Sequence, residues 1–377
     1  PYYSSKGSWG QDYDDLWGLK KIQCEQAWDI SQGEGVIVAV VDTGIDYNHE
    51  DIAANIWTNP GEIPNNGIDD DKNGYIDDVR GYDFAYGDSD PMDGHGHGTH
   101  VSGTIAAVGN NSKGIIGVAP KAKVMAVKGL NNSGSGYDTN LANCLKYAAD
   151  MGADVINNSW GGRGYSKTIE DAVNYAYSKG SVVVAAAGND DDDASNYTPA
   201  GLANVITVAS IDHSDVKSDF SNIGAKIDVA APGGDSYNGN MTRIYQNILS
   251  LRASSKDPYG DGKNIVGTNY YRARGTSMAC PHVAGVAALL ISQYPTWAND
   301  FVGAQIMYTS DNIDSVNPNY VGLMGQGRLN SYLALTTTNP KPKIKFFTYK
   351  ADDSLGNNNG MVDPGENIAM TVTLRNI

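Results

Sequence analysis

Cysteine and phenylalanine are scarce, at three and five of 377 residues. Three thiols, Cys24, Cys144 and Cys280, cannot all pair, so the chain is no disulfide scaffold. A single Cys24 to Cys144 bridge stays open, and Cys280, at the start of an apolar helical run, is expected to be a buried small hydrophobe. No cysteine and histidine cluster has zinc spacing. No apolar run is long enough to span a bilayer. The start carries no basic stretch followed by an apolar one, so any export signal is expected to be already removed or never included. Positive charge is also scarce: 27 Lys and Arg against 43 Asp and Glu leave a net charge of −16. That disfavours nucleic acid and anionic membranes as partners.

What is present is an alternation. Strand-like apolar runs at Val36 to Val41, Val124 to Val127, Val155 to Asn158, Val182 to Ala187 and Val205 to Ala209 are interleaved with helix-like segments such as Leu141 to Met151 and Ile169 to Ser178. The pattern predicts an α/β fold, a mainly parallel sheet covered by helices on both faces. Composition changes at Thr336-Thr337-Thr338-Asn339-Pro340-Lys341-Pro342, so residues 1–336 are expected to form the main domain and 337–377 a linker with a partial β domain. Ile344 to Tyr349 and Ile368 to Leu374 alternate like strands. Two strands are not a stable domain, which suggests the start of a small β-sandwich.

Three short segments carry chemistry: Val40-Val41-Asp42-Thr43-Gly44, His97-Gly98-Thr99-His100 and Gly275-Thr276-Ser277-Met278-Ala279. A serine hydroxyl is a weak nucleophile until an imidazole takes its proton, and the imidazole needs a carboxylate to fix its tautomer. Ser277, His97 and Asp42 fit those roles, with Asp42 at the end of a predicted buried strand. Ser277 precedes a helical run in which Pro281 is expected in the first turn. Asn189, ending Ala185-Ala186-Ala187-Gly188-Asn189, is a candidate amide donor to an oxyanion beside the Ser277 N–H. His95 and His100 flank His97 and are expected in solvated or supporting roles, and His282 in a structural one.

With Asn110-Asn111-Ser112, Gly117-Val118-Ala119-Pro120 and the start Pro1-Tyr2-Tyr3-Ser4-Ser5, these boxes resemble the subtilases, and within them the thermitase-like calcium-binding secreted subtilisins. The resemblance covers about residues 1–336. It implies a subtilisin-like three-layer fold and a secreted monomeric serine endopeptidase acting on protein or peptide substrates, with its own propeptide as inhibitor and folding aid. Subtilases bind extended peptide between two backbone edges, which correspond to Ser133-Gly134-Ser135-Gly136 and Ser159-Trp160-Gly161-Gly162. Trp160 either walls a pocket there or packs into the core. The acidic run Asp190 to Asp193 is expected to border the pocket for the residue before the cleaved bond and to raise tolerance for Lys or Arg there. Residues 234–272 look longer than the family pattern.

Calcium is the expected cofactor, at two or more structural sites. Asp69, Asp71, Asn73, Tyr75 through its carbonyl, and Asp77 reproduce EF-hand oxygen spacing, with Gly74 at the turn and Arg80 in place of the twelfth-position glutamate. Asp78 is a further oxygen source. The resemblance implies a second site from Asp51, the Asn111 side chain and the carbonyls of Val108, Lys113 and Ile115. Its N-terminal aspartate is missing or replaced from Asp12, Asp14 or Asp15. A third would use Asp83, Asp88, Asp90 and the Met92 carbonyl, although Tyr86 stands where the family has an acidic ligand. Asn357, Asn359, Gly360, Asp363 and Glu366 form a weaker candidate, or simply a glycine-rich hairpin. Two other functions are disfavoured. A lipase-like esterase would carry Gly-x-Ser-x-Gly and the order Ser, Asp, His, and a non-enzymatic calcium-dependent adhesive module would have lost a catalytic position.

Overall fold

The computed structural model describes residues 13–236, 241–254, 256–260, 262–338, 344–359, 365 and 367–376. The chain divides into two units, Pro1–Thr338 and Asn339–Ile377.

In the first unit seven strands form a parallel sheet: β1 (Ile37–Asp42), β2 (Gly81–Asp83), β3 (Lys123–Lys128), β4 (Val155–Asn158), β6 (Val182–Ala186), β8 (Ile206–Ile211) and β9 (Val229–Pro232). Their spatial order is β2-β3-β1-β4-β6-β8-β9. Valine- and alanine-rich runs suit a sheet buried on both faces. Val38 and Val40 of β1 enter the apolar cluster on one face, and Ala39 and Val41 the cluster on the other. Helices α4 (Asp138–Asp150) and α5 (Lys167–Ser178) cover the second face. Against the first lie α3 (His97–Ala106) and α6 (Thr276–Gln293), with α1 (Trp17–Lys21), α2 (Cys24–Trp28), α7 (Asn299–Tyr308) and α8 (Ser331–Thr336) around them. Minor strands β5 (Gly162–Arg163) and β7 (Tyr197–Thr198) pair antiparallel.

The long segment after β9 folds into an antiparallel sheet, β10 (Ile248–Leu251), β12 (Tyr270–Ala273) and β11 (Ile265–Val266). It packs on α3, where the His100 Nε2 lies 3.0 Å from the Ile248 carbonyl oxygen and 3.1 Å from that of Tyr271. The Cys24 to Cys144 bridge that the sequence leaves open does not form. Cys24 and Cys144 are both free and lie in apolar clusters on opposite faces of the sheet. Burial pushes the Cys24 thiol up to about 12, which leaves it inert.

In the second unit β13 (Ile344–Asp352) and β14 (Ala369–Asn376) form one antiparallel ladder, with an irregularity between Phe346 and Thr348. Among the described residues this pair is all there is of the expected sandwich. Of the C-terminal metal candidate, Gly360, Asp363 and Glu366 lie outside the described residues.

Candidate active site

Parallel strands deliver their carboxyl ends to one edge, where α/β folds build sites. Asp42 ends β1 fully buried, and His97 opens α3. The His97 Nδ1 lies 2.8 Å from Asp42 Oδ1 and 3.0 Å from Oδ2. Two glycines permit that approach. At Gly44, φ is +100° and a Cβ would fall 2.5 Å from the Pro91 carbonyl oxygen, while a Cβ on Gly98 would fall 2.1 Å from that of Gly44. Burial alone would lower the imidazole, but the hydrogen-bonded Asp42 carboxylate, with Asp93 behind it, holds His97 above its usual value. The flanking histidines differ. Burial drops His100 to about 3 and His282 to about 4, and both rings face backbone carbonyls.

Ser277 is the second residue of α6, in the first turn, where backbone N–H groups have no intrahelical acceptor. Its hydroxyl donates to the Ser159 carbonyl at 2.9 Å, and the Ser159 hydroxyl donates to the Ser277 carbonyl, also at 2.9 Å. His97 Nε2 is not the partner of the Ser277 hydroxyl here. The second of these bonds has a cause in the sequence. Pro281 lies inside the helix, beyond the first turn where it was expected. Lacking an N–H, it leaves the carbonyl four residues back, that of Ser277, unpaired within the helix. Ser159, just after β4, takes that carbonyl and ties Ser277 to the sheet edge.

Asn189 follows β6. Its Oδ1 accepts from the Thr276 N–H at 2.8 Å and the Thr276 hydroxyl at 3.0 Å, which leaves the amide NH2 to face the cleft that Asn189 lines. That cleft, about 530 Å³, is walled by Trp160, Gly161, Gly162, Ala186 to Asp190 and Ser277. A neighbouring cleft of about 360 Å³ has Gly134, Ser135 and Gly136 on one side and Trp160 to Gly162 on the other. The two expected edges therefore face each other, with Ser133 outside the lining. Trp160 walls both clefts and also touches the core. The acidic run is split. Asp190 lines the larger cleft, Asp191 pairs with Lys217 at 2.6 Å, Asp192 pairs with Arg163 at 2.7 Å, and Asp193 caps Ser195 N–H.

The calcium candidates fare unequally. Carboxylate oxygens of Asp69 and Asp71 converge with one of Glu62, all within 4.8 Å of one another. No lysine or arginine among the described residues pairs with them, so the charge of this donor set suits a hard divalent cation, while each of the six oxygens also accepts from an N–H group of the chain, as those of Asp51 do. Asn73 joins the group by donating to Asp71 and to Asp78. Asp77 turns away to accept the N–H groups of Asn66 and Gly67. At the second candidate, Asp51 accepts from the Asn111 amide at 2.6 Å, the Ile115 N–H at 2.9 Å and the Tyr270 hydroxyl at 3.3 Å. Burial still pushes its carboxyl up to about 7. Val108 approaches Asp51 through its N–H, and Asn111 Oδ1 accepts from the Lys113 N–H, so hydrogen bonds within the chain already occupy this group. Asp15 is engaged elsewhere, with Arg272 at 2.8 Å, and Asp12 lies outside the described residues. At the third candidate, Asp83, Asp88 and Asp90 do not converge. The Met92 carbonyl instead accepts from Lys128 Nζ at 3.0 Å.

Three important residues escape sequence reasoning. Glu62 lies outside the EF-like spacing, and its only signal was its place just upstream of the acidic loop. Asp93, 4% exposed, accepts from the Thr43 hydroxyl, the N–H groups of His95, Gly96 and Thr99, and the Thr99 hydroxyl. Lys128 reads as an ordinary lysine at a strand end, yet it is 2% exposed.

Residues 33–335 match the model of the Subtilase family. The chain is 42% identical to thermitase of Thermoactinomyces vulgaris over 335 residues, 89% of this chain and 98% of that protein. It is 39% identical to the thermophilic serine proteinase of Bacillus sp. strain AK1, over 85% of this chain and 67% of that protein. A solved protease structure from Pseudoalteromonas arctica superimposes with a TM-score of 0.70 at 33% identity, covering 86% of this chain and 98% of its own. The chain belongs to the subtilase family. It is a subtilisin-like serine endopeptidase.

Proposed function

We propose that this endopeptidase is secreted and calcium-stabilised, and that it cleaves extended polypeptides with broad specificity through an acyl-enzyme. The hydrogen-bonded His97 and Asp42 pair, beside Ser277 at the first turn of α6, carries the assignment. Ser277 Oγ turns about χ1 from the Ser159 carbonyl to His97 Nε2, gives up its proton and attacks the scissile carbonyl carbon. Asp42 holds Nδ1 protonated and stabilises the imidazolium. Negative charge moving onto the carbonyl oxygen meets the Ser277 N–H and the Asn189 amide, donors fixed before the reaction begins. His97 then passes the proton to the leaving amine, and water repeats the sequence on the ester.

Peptide backbone laid between Gly134–Gly136 and Trp160–Gly162 is held by main-chain pairing, which is tolerant of side chains. Asp190 in the larger cleft extends that tolerance to Lys and Arg. Calcium at Glu62, Asp69 and Asp71 stabilises the fold and takes no part in bond cleavage. We infer further that residues 1–336 are the catalytic domain, working as a monomer once its propeptide is released, and that 337–377 begin a β domain. No helix among the described residues is long and apolar enough to cross a membrane.

Ser277→Ala tests the assignment. The expected loss of peptidase activity is on the order of a millionfold, as for the corresponding residue in subtilisin. Undiminished cleavage of casein by the variant would reject it.

A further inference from the structure

The loop leading to His97 was expected to enclose a calcium ion, but the structure has a positive charge of its own there. Lys128 ends β3, paired in register with Asp83 on one side and with Asp42 on the other. Its Nζ donates to the Met92 carbonyl at 3.0 Å and to Asn132 Oδ1 at 2.7 Å. It lies 3.9 Å from Asp83 Oδ2 and 5.3 Å from the centre of the Tyr86 ring. A lysine is almost never this deeply buried unless its charge is matched. The three acidic side chains meanwhile point to different partners. Asp83 Oδ1 accepts from the Ala85 and Tyr86 N–H groups, Asp88 from the Asp90 N–H, and Asp90 from the Tyr47 hydroxyl. Calcium needs six to eight oxygens at about 2.3–2.6 Å. Here two of the four expected ligands already face an ammonium, which would repel the ion.

We propose that the Lys128 ammonium is the resident cation of the 83–92 loop and holds the turn into His97, so that this approach to the site takes no metal. The charge grips the turn at two points. One is the Met92 carbonyl, next to Asp93, whose carboxylate organises the start of α3. The other is Asn132, on which the turn closes so tightly that a Cβ at Gly94 would fall 2.1 Å from its Oδ1. Lys128 is in these terms a positioning residue. Its effect on rate rests on His97 being the base, whereas the ion count does not.

The test compares the full chain, inhibited at its serine, with Asp83→Asn, counting bound calcium by calorimetry and elemental analysis. Equal counts are expected, and one ion fewer in Asp83→Asn would overturn the proposal. Lys128→Met at saturating calcium should lower kcat about ten- to a hundredfold with little change in KM, and Lys128→Arg should restore most of it. A wild-type kcat in Lys128→Met would also overturn the proposal. Should Lys128→Met not fold, the ion count and the activity of Lys128→Arg decide, with an Arg variant as impaired as a misfolded one counting against the proposal. An active Ser277→Ala would sink the catalytic assignment while leaving the ion count standing.

Discussion

Asp93 has the densest set of contacts near the catalytic residues: its two oxygens accept five hydrogen bonds, from Thr43, His95, Gly96 and both groups of Thr99. Its charge also helps hold His97 protonated to a higher pH than usual, after burial and Asp42 have acted. The sign follows directly. A general base works when neutral, so kcat/KM falls as pH drops through the raised pKa of the free enzyme. Asp93→Asn removes a negative neighbour, lowers that pKa, and should move the acid limb of the kcat/KM profile to lower pH. Lost hydrogen bonds should also cost about 1–3 kcal/mol of stability. A limb unmoved in a folded variant would show that Asp93 acts by position alone. Asp42, His97, Ser277 and Asn189 could be read from the sequence because the small residues around each record a backbone requirement, such as the close approach at Gly44 and Gly98. Asp93, Glu62 and Lys128 could not. Their partners lie on other segments, and nothing in the spacing of an acidic or basic side chain reports which donor or carboxylate will meet it.

At the scale of elements, the parallel strands were legible from their apolar runs, but the loops at their carboxyl ends were not, and there the acidic run after β6 divides. Its four members are adjacent in sequence, but a turn sends each to a different partner. Asp191 sits at φ +51° and reaches Lys217, whose side chain is 3% exposed. Asp190 alone of the four lines the cleft, together with Tyr197 and Arg163. Asp190→Asn should therefore reduce the preference for Lys or Arg over Phe before the cleaved bond by about three- to fivefold, the size of an exposed charge pair. Asp191→Asn should leave that ratio unchanged and destabilise the fold by about 1–3 kcal/mol, because a buried ammonium loses its counter-charge. A peptide series with both variants measures this, and equal loss of basic preference in the two would contradict the division. Pro281 teaches the same lesson. Its helix was legible, but the carbonyl it releases and the Ser159 hydroxyl that takes it depend on where β4 ends.

For the whole molecule, a net charge of −16 opposes the compact state through self-repulsion. Acid is crowded between Asp69 and Asp93, and the structure deals with it in two ways. Around Asp83 the neutralising charge is internal, through Lys128. Around Glu62, Asp69 and Asp71 no such cation comes from the described chain, and the proposed calcium would supply it. An ion bound only by the folded state stabilises it by RT ln(1 + [L]/Kd), about 2.7 kcal/mol at a hundredfold excess over Kd. In a domain of this size, with an unfolding entropy of about 2.1 cal/mol/K per residue, about 1 kcal/mol moves Tm by roughly 1.5 °C. Chelation should therefore lower Tm by roughly 4 °C, and Glu62→Gln should remove most of that calcium dependence while starting from the lower Tm. Peptidase activity at 25 °C should barely change with chelator, because the triad lies at the other strand ends and the turn into His97 carries its own cation. Calorimetric scans of the wild type and Glu62→Gln, with and without calcium, make the measurement. A wild-type Tm indifferent to chelator would remove the ion from this account, and a calcium response preserved in Glu62→Gln would move it to another part of the molecule, with Asp51 and Asn111 the next group to examine.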